Sequence, residues 1–167
     1  ELFEDYKHIA FTFDDGPGKY TADLLDFLKE NDIRVTFFLV GNRLNSYKNT
    51  LKRMVQGGHE IGYHSWKHDF QTKLTNDRII GDYKKSEKIL KNLTGAEFTL
   101  WRTPGGARSS RVLDQISLPH ILWSVDTLDW RYRSSSRTNR VIQNNAKDGA
   151  IILLHDIHKS TVTGAKK

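Results

Sequence analysis

The sequence of 167 residues contains no cysteine, only three prolines and a single methionine. The absence of cysteine excludes disulfide bonds and thiolate metal ligands from this chain. The most notable apolar run, residues 35–40, is far too short to span a bilayer. The sequence also lacks repeats, low-complexity segments and long blocks of like charge. With 37% hydrophobic and 28% charged residues, it is typical of a soluble globular protein, and we expect one domain, residues 1–167.

Basic residues outnumber acidic ones, with 26 Lys and Arg against 20 Asp and Glu, a net charge of +6 and a pI near 9.5. This balance favours an acidic partner such as an anionic cell envelope, anionic lipid or nucleic acid. An ordinary solvated surface also explains it, because the basic residues are spread through helix-like segments. The chain starts at Glu1 without an initiator methionine, and we expect it to be a mature or trimmed part of a longer product.

Strand-like and helix-like segments alternate along the chain. Hydrophobic periodicity and turn residues predict strands at about 8–13, 35–40, 60–63, 98–101, 121–125 and 150–154. They predict helices at about 21–31, 46–56, 76–94, 110–116 and 139–146, with a polar loop at 131–137. This alternation indicates an α/β fold with a mainly parallel sheet.

Each of five polar clusters comes directly after a predicted strand, the position of the active-site face in a parallel α/β barrel. The first cluster places two adjacent carboxylates, Asp14 and Asp15, before Gly16-Pro17. Neighbouring residues of a strand point to opposite faces, so the two acids can have different roles. A capped turn also explains this Asp-Asp-Gly-Pro segment, and the cluster alone leaves both interpretations open.

The second cluster contains His64 and His68. Their spacing of four residues predicts both imidazoles on one side of a helical turn, a separation that suits two ligands of one ion. This spacing is weak evidence alone, but one carboxylate from Asp14 or Asp15 would complete a site of three ligands with open positions for water. Such ligands suit Zn²⁺, and Co²⁺, Ni²⁺, Mn²⁺ and Fe²⁺ stay open. The remaining acid would be free to act as a general base.

The later clusters supply an arginine and a second acid–histidine pair. Arg102 can hold a carboxylate in fixed geometry, or can be a surface arginine on a Pro-Gly turn. Asp129 can orient His155 and raise its basicity, although a structural histidine at a strand end is the alternative. Trp130 and Leu153 belong either to the core or to the wall of an apolar slot for a small group.

Taken in order, the clusters resemble the five motifs of the polysaccharide deacetylases, the NodB-homology or carbohydrate esterase family 4 domain. The motifs run from Phe11 to His158 and jointly form a specific signature. They are Thr12-Phe13-Asp14-Asp15-Gly16, His64-Ser65-Trp66-Lys67-His68, Arg102-Thr103-Pro104-Gly105-Gly106, Asp126-Thr127-Leu128-Asp129-Trp130 and Leu153-Leu154-His155-Asp156. The resemblance implies a distorted (β/α) barrel and metal-dependent removal of acetyl groups from N-acetylated sugars, or of O-acetyl groups in some members.

The resemblance also implies a role for each acid and histidine at the first two motifs. Asp14 would be the catalytic base, held by Arg102. Asp15, His64 and His68 would be the metal ligands, with zinc the expected ion. Asp14 would then take a proton from the attacking water.

The last three motifs would supply the acid and the substrate contacts. By resemblance, His155 is the general acid that protonates the departing amine, and Asp129 tunes it. The backbone N–H of Gly105 helps to hold the oxyanion. Trp130 and Leu153 line the acetyl pocket.

The chain departs from the family pattern in two places. The third motif usually has an aromatic residue where Gly105 stands, so we expect a floppier loop and the loss of one wall of the groove. The family normally continues with one more helix and strand after the last motif, whereas only residues 159–167 follow here. Whether the barrel lacks this last helix and strand in this chain stays open.

We expect an extracellular or wall-associated monomer that deacetylates N-acetylglucosamine in a polysaccharide, with peptidoglycan ahead of chitin oligomers, poly-N-acetylglucosamine and acetylxylan. Nucleic acid is not an expected partner. Three other classes fit parts of the sequence: a metal-free glycosidase using two of Asp14, Asp15, Asp126 and Asp129, an Fe²⁺ oxygenase, and a binding module driven by the positive charge.

Overall fold

The computed structural model describes residues 7–167 of the chain. Its six strands form one parallel sheet. They are β1 (Ile9–Asp14), β2 (Thr36–Leu39), β3 (Glu60–Tyr63), β4 (Leu100–Trp101), β5 (Val125–Asp126) and β6 (Ala150–His155). In space they follow the order β4-β3-β2-β1-β6-β5. The predicted α/β class with a parallel sheet is confirmed.

Seven α-helices connect or follow these strands among the described residues. They are α1 (Thr21–Glu30), α2 (Lys48–Gln56), α3 (Asn76–Thr94), α4 (Ser110–Leu113), α5 (Asp129–Tyr132), α6 (Ser135–Asn145) and α7 (Lys159–Ala165). Short 3₁₀ helices occupy Gly41–Tyr47, Gln71–Lys73 and Pro104–Gly106. None of the helices at residues 7–167 has the length and apolar character needed to cross a bilayer.

The two faces of the sheet differ in composition because alternate residues of a strand point to opposite sides. One face packs against the helices through a continuous core that includes Phe13, Phe37, Tyr63, Trp101 and Leu154. The residues that alternate with these along each strand form the other face, which we call the inner face. It carries the polar residues Thr12, Asp14, His64, Arg102 and His155. Polar side chains therefore collect on one side of the sheet at the carboxyl ends of its strands, and most of them are buried.

The inner face tolerates little extra volume beside the site. At Gly62, in the middle of β3, an added Cβ atom would lie 2.5 Å from Phe38 and 2.6 Å from Leu100. The guanidinium carbon of Arg102 lies 4.1 Å from the centre of the Phe38 ring. Glycine at position 62 thus lets the aromatic ring reach the arginine that crosses the inner face.

Several predicted boundaries differ from the observed ones. Strand 121–125 is reduced to β5 and an isolated parallel bridge between Trp101 and His120. The polar segment 131–137, predicted as a loop, contains the end of α5 and the start of α6, because Ser134 caps α6 by accepting the N–H of Arg137. After the last motif the chain forms α7, so one helix does follow it.

Candidate metal and catalytic centre

Asp14 and Asp15 both reach the inner face at the end of β1. The alternation of a strand predicted that they would point to opposite faces, but Asp15 has a positive φ of 74°. This left-handed conformation turns the chain at Asp15, just before the cis Gly16–Pro17 peptide. As a result, Asp14 Oδ2 and Asp15 Oδ1 lie 3.6 Å and 3.3 Å from the same atom, His64 Nε2.

His64 and His68 lie on a loop and not on the helical turn that their spacing predicted. Ser65 and His68 have positive φ values of 66° and 65°, which no right-handed helix contains. The carbonyl group of Ser65 accepts the backbone N–H of Gly41, which anchors the loop to the segment after β2. The loop still brings the imidazoles together, with ring centres 5.3 Å apart.

Asp15, His64 and His68 form a cluster whose ligand atoms all lie within 4.8 Å of one another. Asp15 Oδ1 is 3.3 Å from His64 Nε2 and 3.1 Å from His68 Nε2. This oxygen is buried and accepts no well-formed hydrogen bond from the described residues. Burial would raise the pKa of Asp15, but the neighbouring imidazoles outweigh it and hold the pKa well below its ordinary range. The carboxylate is therefore charged and has room for a partner.

The orientation of His64 shows what kind of partner fits. Its Nδ1 lies 2.7 Å from the carbonyl oxygen of Arg102, which can only accept, so Nδ1 carries a proton. In the neutral ring, the lone pair of Nε2 then faces Asp15 Oδ1. Two lone pairs this close repel unless a positive charge lies between them. One carboxylate and two imidazoles without sulfur are donors that suit Zn²⁺ or a similar divalent ion, so this cluster fits a metal.

Asp14 is held by Arg102 and not by the three-residue cluster. Arg102 Nη1 donates to Asp14 Oδ1 at 2.8 Å and to Thr12 Oγ1 at 2.8 Å. Its Nε and Nη2 donate to the carbonyl groups of Ile121 and Leu122 at 3.0 Å and 2.8 Å. Arg102 is fully buried, and burial lowers its pKa while Asp14 acts to raise it. The arginine predicted either as a clamp or as a surface residue is thus a clamp.

Asp129 and His155 form the second charged pair. Asp129 Oδ1 lies 2.8 Å from His155 Nδ1, and Asp129 Oδ2 accepts the backbone N–H of His155 at 2.8 Å and the hydroxyl of Thr161 at 2.6 Å. Burial would lower the pKa of His155, but Asp129, aided by Asp15 and Asp14, raises it to about 9. Burial would raise the pKa of Asp129, but the bonds from His155 lower it. The proton on Nδ1 leaves Nε2 as the atom that faces away from Asp129.

The three predicted substrate contacts differ in exposure. Trp130 follows Asp129 in α5 and is 50% exposed, whereas Leu153 is buried. Leu153 shares the inner face of β6 with His155, because the two residues are two positions apart. Gly105 has a positive φ of 62° in the loop after β4. An added Cβ atom at Gly105 would lie 2.9 Å from the ring of Phe70, so this aromatic side chain occupies the space that the sequence predicted to be empty.

Two residues of the motifs help to build the site through contacts that the sequence did not indicate. Thr12 links Arg102 to the sheet by donating to the carbonyl group of Ile152. Asp156 lies beneath the turn after β1: a Cβ atom on Gly16 would lie 2.8 Å from its Oδ1, and its Oδ2 accepts the hydroxyl of Thr21. Burial raises the pKa of Asp156 to about 7. The motifs contain Thr12 and Asp156, but only the fold shows what they contact.

The comparisons with known proteins agree with this geometry. A family model described as polysaccharide deacetylase matches residues 4–118. The peptidoglycan-N-acetylglucosamine deacetylase PgdA of Listeria monocytogenes is 41% identical over 156 residues, covering 93% of this chain and 34% of that protein. The peptidoglycan-N-acetylmuramic acid deacetylase PdaC of Bacillus subtilis is 36% identical over 160 residues, covering 95% of this chain and 34% of that protein. This chain thus spans about one third of the length of these relatives.

A solved structure supports the same assignment at the level of the fold. The structure of T48 deacetylase with substrate superposes with a TM-score of 0.93 at 42% sequence identity. The match covers 96% of this chain and 80% of that one. The fold of this chain therefore has a close counterpart in a deacetylase.

Proposed function

Because the chain belongs to the polysaccharide deacetylase family, we propose that it is a metal-dependent hydrolase that removes N-acetyl groups from N-acetylglucosamine in peptidoglycan. One observation carries this proposal. Asp15 Oδ1 is buried, faces two imidazoles and has no hydrogen-bond partner among the described residues. A second carboxylate, Asp14, lies beside these imidazoles and is hydrogen-bonded to Arg102. In a hydrolytic metal site, these two carboxylates can take different roles, one as a ligand and one as a base.

Asp15, His64 and His68 would hold the ion, which we propose to be zinc. A divalent ion at this place supplies Lewis acidity, which polarises a carbonyl oxygen and lowers the pKa of water. His64 is oriented for ligation by the carbonyl group of Arg102, which fixes its Nδ1 proton. The same donor set accepts Co²⁺, Ni²⁺ or Mn²⁺.

Asp14 would take the proton of the attacking water. Its Oδ1 accepts from Arg102, so Oδ2, which lies 3.6 Å from His64 Nε2, is the oxygen available for this proton. The buried guanidinium fixes the direction of this carboxylate. The water then attacks the carbonyl carbon of the acetamide, and the carbonyl oxygen gains negative charge.

His155 would protonate the leaving nitrogen. Asp129 holds the Nδ1 proton, so the donor to substrate is Nε2, and the raised pKa keeps the ring protonated at neutral pH. Protonation is necessary because an amine departs poorly as an anion. The backbone N–H of Gly105 would donate to the oxyanion, while Trp130 and Leu153 would enclose the acetyl methyl group. Acetate and a free amine are the products.

The choice of polymer depends on the relatives and on charge. PgdA and PdaC are both named for peptidoglycan, but for different sugars, N-acetylglucosamine and N-acetylmuramic acid. The net charge of +6 suits an anionic wall. We therefore propose one catalytic domain over residues 1–167 that acts outside the cell or at the wall, with N-acetylmuramic acid as the second candidate sugar.

The direct test is amine release from chitooligosaccharide and from peptidoglycan, measured after chelation and again after addition of Zn²⁺ or Co²⁺. We expect activity that the ion restores, that Asp14→Asn abolishes, and that is higher on peptidoglycan. Mass analysis of the digested wall would show which of its two sugars lost the acetyl group. Activity that survives complete chelation would contradict the proposal and would favour a metal-free hydrolase.

A further inference from the structure

Phe70 is an exposed aromatic side chain beside the proposed site that none of the five motifs contains. Its side chain is 44% exposed, among the most exposed large apolar side chains of the described residues. It follows His68 by two residues, and so belongs to the loop that carries a proposed metal ligand. Its ring edge also lies beside Gly105 of the next loop along the sheet, where an added Cβ atom would come within 2.9 Å of Phe70 Cε1.

The backbone around Phe70 is held firmly, so the exposure of its ring does not come from a loose segment. The next residue, Gln71, is buried, and the carbonyl group of Phe70 accepts the N–H of Lys73 at 3.0 Å. Arg111 donates to the carbonyl groups of Thr72 and Leu74 at 3.2 Å and 3.1 Å. These bonds hold the backbone of the loop. Lys73 Nζ lies over the Phe70 ring at 5.6 Å from its centre, and the residue still leaves 44% of its surface to solvent.

The position of the Phe70 ring depends on the absence of a side chain at Gly105. A Cβ atom on Gly105 would lie 2.9 Å from Phe70 Cε1, closer than packed carbon atoms approach. Gly105 also has a positive φ of 62°, a conformation that glycine adopts without strain. Phe70 therefore fills the place where a larger residue at position 105 would form the wall of the groove.

Phe70 and Trp130 lie on different sides of Asp14 and Asp15 in the order of the strands. Phe70 belongs to the loop after β3 that also carries His64 and His68, whereas Trp130 follows β5. In the strand order β4-β3-β2-β1-β6-β5, the acids at the end of β1 come between them. A polysaccharide that lies across the acids would meet one exposed aromatic ring on each side.

We propose that Phe70 is a substrate-positioning residue that stacks on the sugar ring next to the one being deacetylated. This inference rests on the proposed function and adds a binding contact to it. The C–H face of a pyranose is apolar and weakly positive, and it packs on the negative face of an aromatic ring. Because the contact is with a sugar that does not react, it strengthens binding of substrate and transition state alike, and its loss should raise KM with little change in kcat.

The test compares a substrate with several sugars and a substrate with none. We would measure kcat and KM of wild type, Phe70→Ala and Phe70→Tyr with an N-acetylglucosamine tetramer and with 4-nitrophenyl acetate. We expect Phe70→Ala to raise KM for the tetramer about tenfold, the size of one aromatic contact, and to leave the ester unaffected. Phe70→Tyr keeps the ring and should restore the wild-type KM. Calorimetry with the fully deacetylated tetramer should show the same loss of affinity.

The matched control is Ile33→Ala. Ile33 is similarly exposed, at 39%, but precedes β2 at the opposite end of the strands, so we expect no change in KM. An unchanged KM in Phe70→Ala would overturn the proposal, and so would an equal loss on both substrates, which indicates a structural effect. Inactivity of the wild type on both the tetramer and peptidoglycan, with zinc present, would instead refute the proposed function. Weaker binding of the product tetramer by Phe70→Ala would still support the stacking contact.

Discussion

Replacing Asp129 by asparagine should remove the force that keeps His155 protonated. In the wild type, both oxygens of Asp129 accept: Oδ1 from His155 Nδ1, and Oδ2 from the backbone N–H of His155 and the hydroxyl of Thr161. Asparagine has an NH₂ group in place of one of these oxygens, so this donor must face either His155 Nδ1–H, or the backbone N–H of His155 and the hydroxyl of Thr161. It also removes the negative charge that offsets the burial of the imidazole.

The size of the effect follows from the raised pKa of His155. The difference between about 9 in the folded protein and the ordinary value of 6.5 corresponds to about 3 kcal/mol. Because the pKa is higher in the folded state, this stabilisation is fully present below pH 6.5 and is lost as the pH rises to 9. In Asp129→Asn, burial is no longer opposed by that charge, and the pKa of His155 should fall by about 2 or more.

Two assays would measure this change in metal-free protein. NMR titration of the His155 ring gives the pKa directly, and urea unfolding between pH 6 and pH 9 gives the change in the free energy of unfolding. We expect that free energy to fall by about 3 kcal/mol over this range in wild type, and by much less in the variant. Asp126→Asn is the control, since the exposed Asp126 bonds the N–H of Leu128 and not the imidazole. A pKa near 9 in Asp129→Asn would refute the reasoning.

Three further results are expected. Gly62→Ala should lower the free energy of unfolding, measured in urea, by about 1–3 kcal/mol, because its methyl group meets Phe38 and Leu100. The control Gly81→Ala, at an open position of α3, should raise that free energy by about 0.5–1 kcal/mol. Destabilisation of similar size in both variants would contradict this. Arg102→Lys should lower the free energy of unfolding by about 3 kcal/mol, because an ammonium group cannot reach all four acceptors of the guanidinium. An unchanged urea midpoint would count against Arg102 as the clamp of Asp14. His68→Ala should weaken zinc binding, measured by calorimetry, about 100-fold or more, whereas the control His59→Ala, outside the site, should leave the zinc affinity unchanged. If His68→Ala bound zinc as tightly as the wild type, His68 would not be a ligand.

Patterns of apolar residues were sufficient to predict most of the elements. Strand 60–63 matches β3, and the helix predicted to start after a cap at Thr75 or Asn76 matches α3, for which Thr75 is the cap, because a short buried run and a capped amphipathic helix each carry a local signal. For α3 that signal includes Thr75, which accepts the N–H of Arg78, and Gly95, with its positive φ. These features depend only on residues close in sequence.

The errors arose where distant residues decide the local structure. Strand 121–125 is interrupted because Arg102 takes the carbonyl groups of Ile121 and Leu122, which a strand would use in a ladder. The positive φ values of Asp15 and His68 are unusual for residues other than glycine, and the sequence did not indicate them. These two residues are proposed metal ligands, and strain at such positions is common at functional sites.

Phe70 shows a similar limit at the rim of the site. The sequence indicated that Gly105 leaves a gap, but the residue that fills it comes from another loop, 35 positions earlier. Only the packing of the loops after β3 and β4 reveals this replacement. The sequence predicts roles for the motif positions, and these stay predictions, whereas the contacts between loops required the fold.

The most direct test of the proposed metal-dependent deacetylase is a titration of metal-free protein with Zn²⁺, in which acetate release from an N-acetylglucosamine oligomer is recorded at each addition. We expect activity to rise linearly and to stop at one ion per chain, because Asp15, His64 and His68 form a single site. Asp14→Asn should bind the same one ion and release no acetate. Acetate release by the protein before any ion is added, or by Asp14→Asn at the wild-type rate, would contradict the proposed site.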